Sequence, residues 1–138
     1  MKDMKRYLSR LPAWFFSCLT FLAIIWLTLA PKPLGEKPPP LFPGADKLAH
    51  GIMFGGLTAM MLLDWQRKHE WKDIGPGRDI LYAVGVSMFG VLIEIMQAVM
   101  DLGRGFEYSD IVADTIGSFF FASIFLFSQK FWQSTLNK

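Results

Sequence analysis

The stretch Ile80–Met100, with the sequence ILYAVGVSMFGVLIEIMQAVM, decides the fold class of this chain. Its single charged residue is Glu94. A helix of this length is about 31 Å long at about 1.5 Å per residue, which matches the roughly 30 Å hydrocarbon core of a bilayer. We therefore predict that this stretch is a membrane-spanning helix.

Three more apolar stretches and the composition of the whole chain agree with this prediction. Of the 138 residues, 52% are hydrophobic and 19% are charged, which is more apolar surface than a soluble domain of this size can bury. Lipid offers no partner for free backbone groups, so each stretch should be helical. The prediction is an all-α, integral membrane four-helix bundle that forms a single domain over residues 1–138, with spans at about residues 13–30, 48–63, 80–100 and 111–127.

The distribution of Lys and Arg predicts the orientation of these spans. Alternate segments carry ten such residues on one side and four on the other, the four being Lys32, Lys37, Lys47 and Arg104. The positive-inside rule then places both termini in the cytoplasm of a multi-pass protein of the bacterial plasma (inner) membrane. A cleaved signal peptide is the alternative interpretation of the first span, and it leaves the other three spans oriented the same way.

The net charge of +2 is too small to indicate a nucleic-acid partner. The partners that the sequence predicts are membrane lipids. Cys18 is the only cysteine, so the chain has no disulfide framework. Gly51 and Gly55 form a small-xxx-small pair, which favours close helix packing over chemistry.

Polar residues inside the predicted spans are the most informative feature of the sequence. Such side chains are costly in a bilayer and usually face a bundle interior or a wet cavity. On the third span they recur at spacings of three and four and therefore share one helix face: Ser87, Gly90, Glu94, Gln97 and Asp101. Asp110, Asp114 and Gly117 share a face of the fourth span, and Asp46, Lys47 and His50 lie within about one turn of the second.

These polar groups also lie at a common depth. Glu94 lies about 9 Å below the outer end of its predicted helix, and Asp114 and His50 lie roughly 5 Å below theirs. Arg104 and Lys47 are placed at the rim. We expect an outward-opening polar pocket, although mutual hydrogen bonding that only ties the helices together is the alternative.

The order of these residues resembles the VanZ-like membrane protein family, which is named for a protein associated with low-level resistance to the glycopeptide teicoplanin. The resemblance rests on Asp46-Lys47-x-x-His50, Glu94-x-x-Gln97, Arg104 and Ser109-Asp110-x-x-x-Asp114-x-x-Gly117. It covers about residues 42–128. The family commonly has Asn or Asp at the position of Asp114. The resemblance implies a membrane protein of the cell envelope but no particular activity.

Our first functional hypothesis is a protein that binds or acts on an anionic, lipid-linked headgroup of the cell envelope. His50 and Glu94 would form a catalytic acid/base pair, and Asp114 would orient His50. The remaining candidates would bind the headgroup or orient these groups: Asp46, Lys47, Gln97, Arg104, Ser109 and Asp110. A divalent metal would suit the ligand types, but the residues come from three helices without a short metal-ligand spacing, so we predict no metal ligands. The sequence leaves the cofactor unknown.

The second hypothesis is a non-enzymatic protein in which the same pocket binds a lipid, a lipid-linked cell-envelope precursor or a lipoglycopeptide such as teicoplanin. It would then act in antibiotic resistance or modify the envelope. Passage of protons or ions is a weaker third hypothesis, because no polar stripe continues through the inner halves of the second and fourth spans, where Thr58 and Ser118 are followed by apolar residues.

Overall fold

The computed structural model describes residues 11–31, 42–69, 75–100 and 105–136, and in the last range the side chains only up to 129. The described residues form four helices. They are α1 (Phe15–Leu29), α2 (Ala45–Lys68), α3 (Pro76–Met100) and α4 (Tyr108–Leu136). An all-α bundle of four helices was predicted, and the described residues confirm it.

Helices α2 and α4 form the closest pair in the bundle. The backbones approach so closely at Gly51 and Gly117 that a Cβ added to Gly117 would collide with the Gly51 backbone. Gly55 faces Gly117 and Phe121 in the same way. The predicted packing role of Gly51 and Gly55 is therefore confirmed, because only residues without a side chain permit this separation.

Helices α2, α3 and α4 are long and apolar enough to cross a membrane, by length and composition. Helix α2, Ala45–Lys68, contains the predicted second span, about 48–63, and extends beyond both of its ends. Its last turns carry charged residues that find partners: Asp64 accepts hydrogen bonds from the backbone N–H and the hydroxyl of Ser17, both at 2.8 Å, and pairs with Arg67.

Helix α1 has 15 residues, about 22 Å of helix, which is shorter than the hydrocarbon core. It nevertheless contacts both ends of the bundle. Ser17 bonds Asp64 near the end of α2, and the carbonyl of Thr28 accepts a 2.9 Å hydrogen bond from Gln97 near the end of α3. The apolar core between these contacts includes Ile24 and Phe54, which are fully buried.

Candidate functional site

The site lies where the start of α2, the end of α3 and the start of α4 meet. His50 is five residues after the first residue of α2, Glu94 six residues before the last residue of α3, and Asp114 six residues after the first residue of α4. These offsets correspond to about 7–9 Å of helix. The antiparallel order of the three helices thus brings the predicted polar residues to one depth, as their spacing indicated.

His50 lies between two carboxylates of α4. Its Nδ1 is 3.1 Å from Asp114 Oδ1, a hydrogen bond within the bundle, and its Nε2 is 3.6 Å from Asp110 Oδ2. When the buried carboxyl of Asp114 is ionised it can only accept a hydrogen bond, and a neutral imidazole then carries its proton at Nδ1 and keeps a lone pair at Nε2. The 3.6 Å separation is longer than a hydrogen bond, so Nε2 can accept a proton or bind a cation.

Glu94 is fully buried, and its two carboxylate oxygens differ. Oε2 accepts a 2.9 Å hydrogen bond from the backbone N–H of Glu107, just before α4. Oε1 has no hydrogen-bond partner among the described residues. A buried polar atom without a partner is uncommon in folded proteins and calls for a structural or functional explanation.

Lys47 lies at the rim of the site and contacts three carboxylates. Its Nζ is 2.8 Å from Asp46 Oδ2 and 2.7 Å from Asp110 Oδ1, and it also pairs with Glu107. The hydrogen bond from the Lys47 ammonium lowers the pKa of the Glu107 carboxyl. We call these four residues the lysine cluster, and His50, Glu94, Asp110 and Asp114 the histidine site.

Gly90 makes room for the deepest carboxylate of the histidine site. A Cβ at Gly90 would lie 2.6 Å from Asp114 Oδ2 and 3.1 Å from Asp114 Cβ. The side chain of Asp114 therefore occupies the space that a larger residue on α3 would fill. This explains why the residue at position 90, on the same helix face as Glu94, is a glycine.

The other predicted site residues have different surroundings. Gln97 is buried, and its Nε2 donates to the Thr28 carbonyl of α1, so this contact ties two helices together. Ser109 is exposed, with its hydroxyl 3.4 Å from Glu107. Asp46 is exposed and contacts Lys47. Arg104 and Asp101 lie outside the described residues.

Sequence reasoning missed Glu107, which contributes to both groups of residues. Its carboxylate pairs with Lys47, and its backbone N–H donates to Glu94. The residue lies directly before α4 and outside the predicted spans, where an acidic side chain is unremarkable in sequence. Its position just before a helix start, where acidic residues are favoured, was the available signal.

Three side chains of the histidine site are close enough to share one ligand. One ligand atom each from His50, Glu94 and Asp110 lies within 4.8 Å of the others. Among the described residues near this end of the bundle, carboxylates outnumber cations: Asp46, Glu94, Glu107, Asp110 and Asp114 against Lys47 and, when protonated, His50. The arrangement can transfer protons through Nε2 of His50 or attract a cation.

A bundle of apolar helices with a buried polar site defines the class as a multi-pass helical membrane protein. Comparison with known families refines this class, since the family described as VanZ/LLP1 matches residues 13–129. The chain belongs to this VanZ-like family, as the order of its polar residues indicated. No curated protein and no solved structure matches the chain.

Proposed function

We propose that this protein binds the headgroup of a lipid-linked component of the cell envelope and acts on it by proton transfer at the histidine site. The observation that carries the proposal is the hydrogen bond between His50 and Asp114. This contact fixes the buried imidazole so that its Nε2 faces Asp110. A histidine oriented by a carboxylate is a common general base.

The depth of the site favours a lipid headgroup as substrate. His50, Glu94 and Asp114 lie about 7–9 Å inside the ends of their helices, near the boundary between headgroups and hydrocarbon. Beside them, the outer face of α4 exposes apolar side chains such as Val112 and Ile116. A lipid lying along that face would have its headgroup at the level of the histidine site.

The charges at the two ends of the bundle support an extracytoplasmic position for the site. Arg67, Lys68 and Arg78 lie at the ends of α2 and α3 that are opposite to the histidine site. By the positive-inside rule those ends face the cytoplasm. We infer that α1 crosses the membrane as well, because it contacts the bundle near both ends, and that both termini are therefore cytoplasmic.

The proposal is tested by native mass spectrometry of the detergent-purified chain with a panel of envelope lipids. We expect selective retention of a phosphorylated lipid, which should be lost in Lys47→Ala and Arg104→Ala. Lys68→Ala is the matched control, because it removes the same charge at the opposite end of α2. Equal retention of every lipid, or equal loss in Lys68→Ala, would contradict the proposal.

Binding without chemistry is the second candidate, in which the site holds a lipid or a lipoglycopeptide such as teicoplanin. Asp110 and Asp114 both contact His50. They can therefore position the imidazole as a hydrogen-bonding group for a bound ligand without any proton transfer. Glu94→Gln discriminates between the candidates. A protein that only binds should tolerate it in a cellular resistance assay, whereas proton transfer that depends on the carboxylate should be abolished.

A further inference from the structure

We propose that His50, Glu94 and Asp110 bind a divalent cation of the Zn²⁺ or Mn²⁺ class, with Asp114 orienting the imidazole. One nitrogen and two carboxylate oxygens are ligand types that both ions accept. The metal site rests on the geometry of these residues, whereas the ligand it would face, the phosphate of a lipid headgroup, rests on the proposed function. With Nε2 bound to an ion, His50 is a metal ligand and no longer a general base, so the metal site replaces that part of the proposed function.

The separations of the ligand atoms suit a single small ion. In a tetrahedral site with bonds of about 2.0–2.1 Å, ligand atoms lie about 3.3 Å apart. His50 Nε2 and Asp110 Oδ2 are 3.6 Å apart, and Glu94 offers an oxygen within 4.8 Å of a ligand atom of each. Separations of up to 4.8 Å exceed the tetrahedral value, so an ion would draw the three side chains closer together, and three protein ligands would leave a fourth coordination position open.

The second oxygen of Glu94, Oε1, is an independent observation that points to a cationic ligand. Glu94 is 0% exposed, yet its Oε1 has no partner among the residues that the structure describes. Its other oxygen is already bonded to the Glu107 N–H. A bound cation would satisfy Oε1 and would offset the negative charge that Glu94 and Asp110 bring together.

The hydrogen bond between His50 and Asp114 has the arrangement typical of metal-binding histidines. Such residues usually donate their second ring N–H to a carboxylate, which sets the tautomer and makes the ligating nitrogen more basic. Asp114 Oδ1 lies 3.1 Å from Nδ1, and in its ionised form Asp114 can only accept there, which directs the lone pair of Nε2 toward Asp110 and the proposed ion.

The lysine cluster is a poorer metal site, although it also contains three carboxylates. Asp46, Glu107 and Asp110 offer ligand atoms within 4.8 Å of one another, but the ammonium of Lys47 contacts all three. A metal there would have to displace the lysine. No Lys or Arg among the described residues pairs with Glu94 or Asp114, so the deeper position is the one that a cation would fill.

A metal ion also explains how an acidic site accepts a phosphorylated headgroup. The described carboxylates near the site would repel a phosphate. A divalent ion held by His50, Glu94 and Asp110 would cancel the charge of the two carboxylates that bind it, and its open coordination position can take a phosphate oxygen.

The test uses the full chain in detergent, stripped with EDTA, dialysed and then titrated with Zn²⁺ or Mn²⁺ in the absence of lipid. We expect one ion retained per chain by elemental analysis after desalting. Calorimetry should show affinity reduced about tenfold in Asp114→Asn and more strongly in Glu94→Gln. Thr58→Val and Ser118→Ala are matched controls, because both alter buried polar residues of the same helices, and they should bind like the parent chain.

Three results would overturn the metal site: no stoichiometric retention of either ion, unchanged affinity in Glu94→Gln, or loss of affinity in Asp46→Asn and not in Glu94→Gln. The helical circular dichroism of each variant shows whether it is folded, and the isosteric Glu94→Gln keeps the acceptor for Glu107. Lipid retention is measured separately with and without EDTA. Retention that survives EDTA together with absent metal binding removes this inference and leaves the proposed function, whereas metal binding without lipid retention does the reverse.

Discussion

The helix bundle buries charged side chains near both ends, and the two ends differ in how these charges are paired. At the end where α2 finishes and α3 begins, Asp64 pairs with Arg67, and Asp79 pairs with Arg78. At the opposite end the histidine site has two buried carboxylates, Glu94 and Asp114, without a Lys or Arg partner among the described residues.

This difference distinguishes charged side chains that stabilise the fold from those for which we propose a function. Arg67 also lies over the ring of Phe16 and donates to the Leu11 carbonyl, so one side chain holds the start of α1 against α2. Both ion pairs lie within one helix, and each arginine also contacts a neighbouring helix, since Arg78 of α3 lies over the ring of Trp65 of α2. An excess of buried carboxylate brings no such benefit, because uncompensated charge in a membrane is costly. We therefore propose a functional role for the histidine site and a structural role for the arginine pairs.

Arg67→Ala should have the largest effect on stability. It leaves the buried carboxylate of Asp64 without its cation, and breaking a buried ion pair costs about 3 kcal/mol or more. Reversible unfolding in mixed micelles measures the change. Lys68→Ala, one residue further along and exposed, is the control and should change the free energy of unfolding by less than about 0.5 kcal/mol. Equal stability of the two variants would show that the arginine pair is not structural.

Gly90→Ala should have the next largest effect, and it acts at the histidine site. The new methyl group would lie within 3.1 Å of Asp114 Cβ, and overpacking of this kind costs about 1–3 kcal/mol. It should also weaken binding of metal or lipid, because Asp114 must move. Gly85→Ala on the same helix is the control.

A Cβ added at Gly85 would meet no atom of the described residues within 4 Å, apart from its chain neighbours and the nearby backbone of its own helix. Its replacement by alanine should therefore be neutral or should stabilise α3 by about 0.5–1 kcal/mol. If both glycine variants behave alike, the space at Gly90 does not position Asp114.

Glu94→Gln should have the smallest effect on the free energy of unfolding, and its sign should be opposite to that of the same chemical change at the other end of the bundle. Measured in EDTA, Glu94→Gln should leave the free energy of unfolding unchanged or raise it by up to about 1 kcal/mol. It removes a buried charge that pairs with no Lys or Arg of the described residues, and it keeps an acceptor for Glu107. Asp64→Asn is the same chemical change at the other end and should destabilise the protein, because Arg67 loses its counter-charge. Destabilisation by both would remove the distinction between the ends.

Much of the site could be predicted from the sequence because its spacing is helical. Glu94 and Gly90 share a face at a spacing of four, and Asp110 and Asp114 repeat this spacing on α4. Apolar surroundings made each of these residues conspicuous. The neighbours of Gln97 and Glu107 could not be predicted, because Gln97 bonds α1 and Glu107 lies in a connection whose path depends on the whole bundle.

The sequence by itself determined an all-α bundle with long apolar helices and a common depth for its polar residues, because hydrocarbon permits few alternatives for the backbone and periodicity is a local property. Only the tertiary structure decided which polar atoms meet. In the folded structure His50 contacts Asp114, and Lys47 pairs with the carboxylates of the lysine cluster. Glu94 Oε1 has no hydrogen-bond partner among the described residues. Those outcomes depend on the rotation and separation of three helices, and the close contact at Gly51 and Gly117 sets the separation of two of them, α2 and α4.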